Sequence, residues 1–315
     1  VQSLARRYGS KQAVDDVSFS ISDRGIVGLL GHNGAGKTTI MRMLSGYLEP
    51  SAGYILLAGL DITEAPRALQ QHLGSLPENL PVYPDMSVAD YLEYAATCKG
   101  ISRRERLDHV REAIVATDLA QQALDRINTL SRGMRQRVGV AQAIMGQPRL
   151  LILDEPTTGL DPQQTQQMRE LLQRLARNAL VMLSTHILQE VDAICDRVLV
   201  LREGRLALDR PLHQLQASQT LLLDTTGETE PLAGYLARLP QVTSVQHTRG
   251  DNGLLHFKLQ LHDSADADTA SSNVANCVVN AGARLYRLHS APGDLEQVLN
   301  ELSGSEHDRG KDRGH

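Results

Sequence analysis

The glycine-rich segment GHNGAGKT at residues 31–38 constrains the fold of this chain more than any other feature. It directly follows the apolar run IVGLL at residues 26–30, which indicates a buried strand. A buried strand, a glycine turn and a helix that begins near Lys37 form a phosphate-binding loop, because backbone N–H groups and the positive helix end surround an anion. The sequence therefore predicts an α/β fold that binds a nucleotide at this loop.

Each residue type in this loop has a chemical role. Lys37 would reach the β- and γ-phosphates, and the Thr38 hydroxyl would ligate Mg²⁺. Glycine is needed at Gly31, Gly34 and Gly36 because a Cβ would block the approach of the backbone or its positive φ. A glycine loop that arose by chance is the alternative. The loop residues predicted to bind the nucleotide are Gly31, His32, Asn33, Gly34, Ala35, Gly36, Lys37, Thr38 and Thr39.

Two further apolar runs end in polar residues that can do chemistry. LLIL at residues 150–153 leads into Asp154 and Glu155, and LVML at 180–183 leads into STH at 184–186. Continuous apolar strands are typical of a parallel sheet covered on both faces, which binds ligands at the carboxyl ends of its strands. Asp154 would hold Mg²⁺, and Glu155 would polarise the water that attacks the γ-phosphate. The alternative is a solvated acidic pair at the start of a loop.

Composition limits the classes of function. The chain has 315 residues, 41% of them hydrophobic, which is enough for one large domain and a smaller one. Its net charge of −5 argues against a general nucleic-acid binder. No apolar run approaches the length of about 20 residues that a membrane-spanning helix needs. The three cysteines are interpreted as reduced thiols. His247, His256, His262 and His289 are interpreted as ordinary surface or strand residues. Metal binding is not favoured for either group, because no spacing typical of metal ligands recurs.

The residue pattern changes along the chain. Alternating residues at 14–21 predict a strand before the loop. Residues 80–145 predict a helical lobe, which opens with a capping box at Ser87. Residues 211–302 alternate strand and helix patterns and predict a small α+β accessory domain of ferredoxin-like type. The charged, glycine-rich residues 303–315 predict a disordered tail.

Several short motifs resemble those of ATP-binding cassette (ABC) proteins. LSRGMRQR at residues 130–137 resembles the signature motif, PTTGLDP at 156–162 resembles the D-loop, and STH at 184–186 ends at the position of the switch histidine. Tyr8 matches the aromatic residue that stacks on adenine. The order and spacing match an ABC ATPase over residues 1–210. The resemblance implies a P-loop NTPase fold with a mainly parallel sheet core, an antiparallel β subdomain and the helical lobe.

The resemblance also assigns roles to further residues. Ser131 and Gly133 would contact the γ-phosphate of ATP bound to a second subunit, and Asp161 of the D-loop would join them at the nucleotide. His186 would touch the γ-phosphate from the same subunit; a buried structural histidine is the alternative. Glu78 stands where most family members have a glutamine that touches Mg²⁺, so its place as a metal ligand departs from the family pattern. The predicted catalytic residues are Lys37, Glu155 and His186.

Finer features resemble the ATPases of ABC-2 type exporters, especially the gliding-motility and nitrous-oxide-reductase-maturation subunits. They are LPEN at residues 76–79, YPDMSV at 83–88 and RGMRQRVG at 132–139. Arg132 replaces the commoner second glycine of the signature. Little loss is expected from that change, because the serine and glycine contacts remain.

One chain carries one phosphate loop and one signature, so a complete ATP site requires two chains arranged head to tail. The resemblance implies that the chain binds ATP and Mg²⁺ and forms a homodimer. It also implies a separate membrane permease that docks near the segment from Glu78 to Tyr94. No nucleic-acid partner is expected. Tyr83 and Tyr91 also suit such an interface, although Tyr91 could equally pack inside the lobe. The chain would lie peripherally at the cytoplasmic face of the inner membrane. A soluble ABC ATPase acting on nucleic acid or ribosomes is the alternative, and a switch that binds ATP without turnover is a third interpretation.

Overall fold

The computed structural model describes residues 1–21, 24–62, 70–226, 229–250, 254–262 and 265–292. Contacts within the chain divide it into two compact units, Val1–Leu212 and His213–His315. Each unit has its own hydrophobic core. The tail predicted at residues 303–315 lies outside the described residues.

The first unit contains both strands and helices. Its strands are β1 (Gln2–Tyr8), β2 (Lys11–Val17), β3 (Gly25–Leu30), β4 (Ala52–Tyr54), β5 (Leu56–Leu57), β6 (Leu60–Asp61), β7 (Leu73–Leu76), β8 (Leu150–Asp154), β9 (Leu180–Thr185), β10 (Arg197–Arg202) and β11 (Arg205–Pro211). Its helices are α1 (Lys37–Leu44), α2 (Val88–Cys98), α3 (Arg106–Ala116), α4 (Arg132–Ile144), α5 (Pro162–Ala176) and α6 (Leu188–Ile194), and α7 (Leu212–Gln216) follows. Within the described ranges, no helix is both long and apolar enough to cross a membrane.

A six-stranded sheet forms the centre of the first unit, with the strand order β11-β10-β3-β9-β8-β7. All neighbouring strands are parallel except β10 and β11. Every residue of β8 is buried, as the continuous apolar run predicts. Asp154 pairs with Ser184, so β8 and β9 end at the same edge of the sheet. This topology confirms the predicted α/β fold with a mainly parallel core.

An antiparallel sheet with the order β2-β1-β4 shares a core with the central sheet. Leu4 and Val14 are fully buried in that core, together with Leu29 of β3 and Ile40 of α1. The predicted antiparallel β subdomain is thus present. Because α1 begins at Lys37 and buries its apolar face here, the core also fixes the end of the glycine-rich loop.

The helical lobe, formed by α2, α3 and α4, has a core of its own that includes Leu92, Leu119 and Val138. Ser87 caps α2, as predicted, by accepting a hydrogen bond from the Asp90 N–H at 3.1 Å. The lobe therefore has an apolar interior of its own, and α4, whose N-terminal part overlaps the signature motif, belongs to it.

The three tyrosines of the lobe divide between core and surface. Tyr91 is 3% exposed and its hydroxyl donates to the Pro81 carbonyl at 3.2 Å. Burial raises the pKa of Tyr91 to about 12. Tyr83 and Tyr94 are 51% and 46% exposed, with ring centres 5.4 Å apart in an edge-to-face arrangement. Of the two interpretations of Tyr91, packing inside the lobe is therefore correct.

The second unit contains β12 (Ala217–Thr225), α8 (Thr229–Ala237), β13 (Val242–Arg249), β14 (Leu255–Leu261), α9 (Ala267–Asn280) and β15 (Leu285–Pro292). Its antiparallel sheet has the order β13-β14-β12-β15. Leu232 and Leu236 of α8 and Val274 of α9 join Leu221 and Phe257 of the sheet in one core. The chain order and the strand order together confirm the predicted ferredoxin-like α+β fold.

Replacing Ser87 by Ala should loosen the first turn of α2. Loss of an N-cap hydroxyl costs about 1 kcal/mol, because the Asp90 N–H is left without its partner. We expect the Asp90 amide hydrogen of the variant to exchange with solvent about fivefold faster than that of the unaltered chain, as measured by NMR under native conditions. Ser10→Ala is the control, since Ser10 is exposed in a turn. Equal exchange at Asp90 in both variants would contradict the cap.

Candidate active site

The glycine-rich loop closes around the ammonium group of Lys37. Lys37 is 6% exposed, and its Nζ donates to the Gly31 carbonyl at 2.7 Å and to the His32 carbonyl at 3.4 Å. An ammonium group has three protons, so one remains for an acceptor in the adjoining cavity. The loop thus holds a positive charge at the first residue of α1, where the helix dipole also favours an anion.

Two glycines of the loop illustrate why side chains are excluded there. Gly36 has a φ of +105°, and a Cβ on it would lie 2.7 Å from the Ala13 carbonyl oxygen. Gly34 has a φ of +84°, and a Cβ on it would meet no atom within 4 Å. Gly34 therefore needs its backbone freedom rather than space in the fold, and it leaves its face of the cavity open for a ligand.

Ser184 connects the two carboxyl residues at the end of β8. Its hydroxyl donates to the Asp154 carboxylate and accepts a hydrogen bond from the Glu155 N–H at 3.1 Å. Asp154 is 6% exposed and Ser184 is fully buried. Asp154 is therefore an oriented, buried carboxylate, and the alternative of a solvated acidic pair does not describe it.

Glu155 and His186 meet at the carboxyl edge of the sheet. His186 Nδ1 lies 3.0 Å from Glu155 Oε1, and Thr158 Oγ1 donates to Glu155 Oε2 at 2.9 Å. The His186 side chain is 49% exposed, so it is not the buried structural histidine of the alternative interpretation. Glu155 also has a left-handed φ of +52°, a conformation that costs a non-glycine residue about 1–3 kcal/mol.

A cavity of about 380 Å³ opens in front of these residues and brings the predicted motifs together. Sequence reasoning missed Lys11, Ala13 and Thr158, which also line it. Only Thr158 had a signal, its place within the D-loop segment at residues 156–162, three residues after Glu155. The predicted residues that line the cavity are Tyr8, Asn33, Gly34, Gly36, Lys37, Thr38, Thr39, Glu78, Glu155 and His186, whereas Gly31, His32, Ala35 and Asp154 do not line it.

Tyr8 and Glu78 lie on the wall of this cavity with different surroundings. Tyr8 is 43% exposed, and the Arg6 guanidinium carbon lies 5.0 Å from the centre of its ring. Because a cation covers one face, the other face is the one available to stack on a base. Glu78 is exposed after β7, where its carboxylate can serve as a hard oxygen ligand.

Ser131, Gly133 and Asp161 line a different cavity, of about 610 Å³, which shares no lining residue with the first. Ser131 caps α4 by accepting from the Met134 N–H at 3.3 Å, and Asp161 caps α5 by accepting from the Gln164 N–H at 2.8 Å. Gly133 packs so closely on Gln164 that a Cβ would lie 2.4 Å from its Oε1. Within one chain, these three residues are thus separated from the Lys37 cavity.

Arg132, which replaces the second glycine of the signature, packs on the D-loop. A Cβ on Gly159 would lie 2.4 Å from the Arg132 Cζ, and Gly159 has a φ of +75°. The lack of a side chain at Gly159 therefore makes room for the guanidinium group. Arg132 adds a contact between the signature and the D-loop, while Ser131 keeps its capping role.

The oxygen ligands near the Lys37 cavity suit Mg²⁺ that arrives with a nucleotide. Among the residues that the structure describes, no three His, Cys, Asp or Glu side chains lie close enough to hold a metal ion by themselves. Mg²⁺ in phosphoryl-transfer sites is bound by one or two carboxylates, waters and substrate phosphates. Thr38 and Glu78 at the cavity, and the buried Asp154, offer ligands of this kind.

Comparison with known proteins gives a consistent family. The family model described as ABC transporter matches residues 14–158. The ABC transporter ATP-binding protein YxlF of Bacillus subtilis is 31% identical over 299 residues, which cover 95% of this chain and 97% of that protein. The bacitracin transport ATP-binding protein BcrA of Bacillus licheniformis is 36% identical over 215 residues, covering 68% of this chain and 69% of that protein. The Nod factor export ATP-binding protein I of Burkholderia orbicola is 36% identical over 219 residues, covering 69% and 72%.

Solved structures share the fold over two thirds of the chain. The ATP-binding subunit of an ABC transporter superposes with a TM-score of 0.61 at 29% identity, covering 68% of this chain and 90% of that one. A dimeric ATP-binding cassette in a post-hydrolysis state, bound to ADP and Pi, superposes with a TM-score of 0.60 at 21% identity, covering 67% and 97%. At the latter identity the likeness concerns the fold alone.

Replacing Ser184 by Ala should raise the Mg²⁺ requirement of ATP hydrolysis. The Asp154 carboxylate loses its donor, and loss of such an orienting partner lowers metal affinity about 10- to 100-fold. We expect the Mg²⁺ concentration for half-maximal hydrolysis to rise about tenfold, as measured by phosphate release. Ser75→Ala on β7 is the control, because Ser75 is a half-buried serine of the same sheet whose strand position pairs with Ile152 and not with Asp154. An unchanged Mg²⁺ requirement in Ser184→Ala would contradict the prediction that Asp154 holds Mg²⁺.

Proposed function

Because this chain belongs to the family of ABC transporter ATP-binding proteins and is an ATPase, we propose that it is the nucleotide-binding subunit of an ABC-2 type exporter. Two copies would associate head to tail around two ATP molecules and drive a separate membrane permease. The similarity to proteins named for bacitracin transport and Nod factor export supports the exporter assignment. The subunit would act peripherally, at the cytoplasmic face of the inner membrane.

The separation of the two cavities carries the dimer proposal. Lys37, Glu155 and His186 line one cavity, whereas Ser131 and Gly133 line the other. A second copy can bring its signature residues to the Lys37 cavity and complete the contacts with the γ-phosphate. Twofold symmetry then makes two equivalent sites from the same pair of surfaces.

The side chains around the cavity are suited to the attack of water on the γ-phosphate. Lys37, fixed by the Gly31 and His32 carbonyls, would present its remaining proton to the β- and γ-phosphates. Glu155 would orient the water and accept its proton, and His186 would contact both Glu155 and the γ-phosphate. Mg²⁺, when bound, would neutralise charge on the phosphates.

Glu155→Gln should stop hydrolysis and retain ATP, because an amide cannot accept the proton of the attacking water. We expect this variant to dimerise when ATP and Mg²⁺ are added, with a doubled mass in light scattering. Adding Ser131→Ala should prevent the dimer while each monomer still binds ATP.

Ser87→Ala in the Glu155→Gln background is the matched control for this dimer test. Ser87 and Ser131 both cap helices of the lobe, so each substitution removes one N-cap. Only Ser131 is proposed to reach the γ-phosphate of the partner. If the variant with Ser131→Ala dimerised as readily as the control, the composite site would be wrong.

The exposed tyrosine pair supports a permease-docking surface on the helical lobe. Tyr83 and Tyr94 lie edge to face at the surface, and aromatic side chains are enriched at protein interfaces. Glu78, five residues before Tyr83, lines the nucleotide cavity. A movement of the segment from Glu78 to Tyr83 could therefore transmit the state of the nucleotide to the permease.

Replacing both Tyr83 and Tyr94 by Ala should release the membrane partner without stopping hydrolysis by the isolated subunit. We expect the unaltered chain, purified from detergent-solubilised membranes, to bring down one integral membrane protein that mass spectrometry identifies, and the double variant to lose it. Tyr235→Ala is the control, since Tyr235 is 50% exposed in the second unit. Co-purification of RNA or ribosomal proteins, with no integral membrane protein, would favour the soluble ABC ATPase instead.

A further inference from the structure

A buried carboxylate behind the cavity connects the two segments that carry Glu155 and His186. Glu190, in the first turn of α6, is only 3% exposed. Its Oε1 accepts a hydrogen bond from Thr157 Oγ1, and its Oε2 accepts one from Thr185 Oγ1 at 2.7 Å. Thr157 is 5% exposed and Thr185 is fully buried, so water does not compete for these hydrogen bonds.

Both threonines lie next to the proposed catalytic residues in the chain. Thr185 immediately precedes His186, and Thr157 follows Glu155 by two residues. Thr185 Oγ1 also accepts a hydrogen bond from the Ile187 N–H at 3.1 Å, which fixes the backbone on the other side of His186. The two segments are therefore joined twice, through the His186–Glu155 contact at the cavity and through buried Glu190 behind it.

The burial of Glu190 requires an explanation beyond stability. Among the described residues, no Lys, Arg or His forms an ion pair with it. Two hydroxyl donors and the helix dipole of α6 offset part of the desolvation of the carboxylate. Apolar residues of similar volume often stabilise a core as well or better than buried charges do. Holding two segments in one geometry is a task that an apolar side chain cannot perform, because it offers no directional contacts.

We propose that Glu190 is a positioning residue for ATP hydrolysis, which holds Glu155 and His186 in register through Thr157 and Thr185. It acts without touching the nucleotide or the attacking water. The left-handed φ of +52° at Glu155 fits this role, since such a conformation persists only where neighbouring contacts restrain it. The inference rests on the catalytic roles proposed for Glu155 and His186.

Thr157→Val and Thr185→Val test this role, because valine keeps the shape of threonine and removes the hydroxyl that Glu190 accepts. Each should lower kcat about tenfold, since small displacements of catalytic groups slow the chemical step strongly. The Kd for ATP, measured in the Glu155→Gln background without turnover, should stay within about twofold. Such a split between kcat and Kd separates positioning from a general loss of structure.

Thr117→Val is the matched control. Thr117 is fully buried in the lobe, and its hydroxyl donates to the Ala113 carbonyl at 2.7 Å. The control therefore removes one buried hydroxyl of the same kind without touching the Glu190 contacts. We expect its kcat to stay within about twofold of the unaltered chain, with a thermal unfolding midpoint similar to that of Thr157→Val.

Two substitutions of Glu190 complete the test. Glu190→Gln keeps one acceptor oxygen and gains an amide donor that a threonine hydroxyl can accept, so it should retain most of the kcat. Glu190→Leu removes both contacts and should lower kcat about tenfold, as the threonine variants do. Adding Thr157→Val to Glu190→Leu should cause no further loss, because the two changes remove the same interaction.

The outcomes separate failure of this inference from failure of the proposed function. Equal kcat values in Thr157→Val, Thr185→Val and Thr117→Val would overturn the role of Glu190, as would a parallel loss of kcat and ATP affinity. An unaltered chain that binds ATP without hydrolysing it would instead overturn the proposed function. Full turnover in Glu155→Gln would overturn the catalytic role of Glu155 on which the inference rests.

Discussion

The parallel register of β3, β8 and β9 is the constraint on which the candidate active site depends. Asp154 pairs with Ser184, and the three neighbouring strands end at one edge of the sheet. If the register were shifted, the polar residues at the strand ends would lie among apolar side chains. Their polar groups would then be buried without hydrogen-bond partners, which would destabilise the fold. Lys37, Glu155 and His186 follow the strand ends closely, so the sheet sets their proximity and the loops adjust only the orientation of the side chains.

The sequence predicts the fold and much of the candidate site because several residues there allow few conformations. The apolar run of β8 followed by an acidic pair fits a two-sided parallel sheet, and the structure buries every residue of that strand. Only glycine fits at position 36, because the backbone has a positive φ there and a Cβ would meet the Ala13 carbonyl oxygen. Ser87 has the side chain that a helix start needs, and it caps α2. In each case the local chemistry and the tertiary structure favour the same conformation.

Features that depend on tertiary partners could not be predicted in the same way. Alternation at residues 14–21 predicts a strand to Ile21, but β2 ends at Val17, because its partner β1 supplies no pairing beyond Leu4. The Phe19 N–H instead donates to the Val1 carbonyl. The burial of Glu190 depends on Thr185, five residues before it, and on Thr157, which lies 33 residues away on another segment. No periodicity in the sequence encodes the contact with Thr157.

Under the catalytic role proposed for Glu155, its left-handed backbone sets the stability of the fold against the rate of ATP hydrolysis. The strain amounts to about 1–3 kcal/mol, a noticeable share of the roughly 5–15 kcal/mol that stabilises a typical domain. Glycine or asparagine would adopt this φ more readily, yet neither could serve as the general base, the role proposed for Glu155. Selection of random variants for heat resistance alone would therefore enrich changes that abolish hydrolysis. Selection for hydrolysis would instead favour the carboxylate, in a backbone conformation that non-glycine residues seldom adopt.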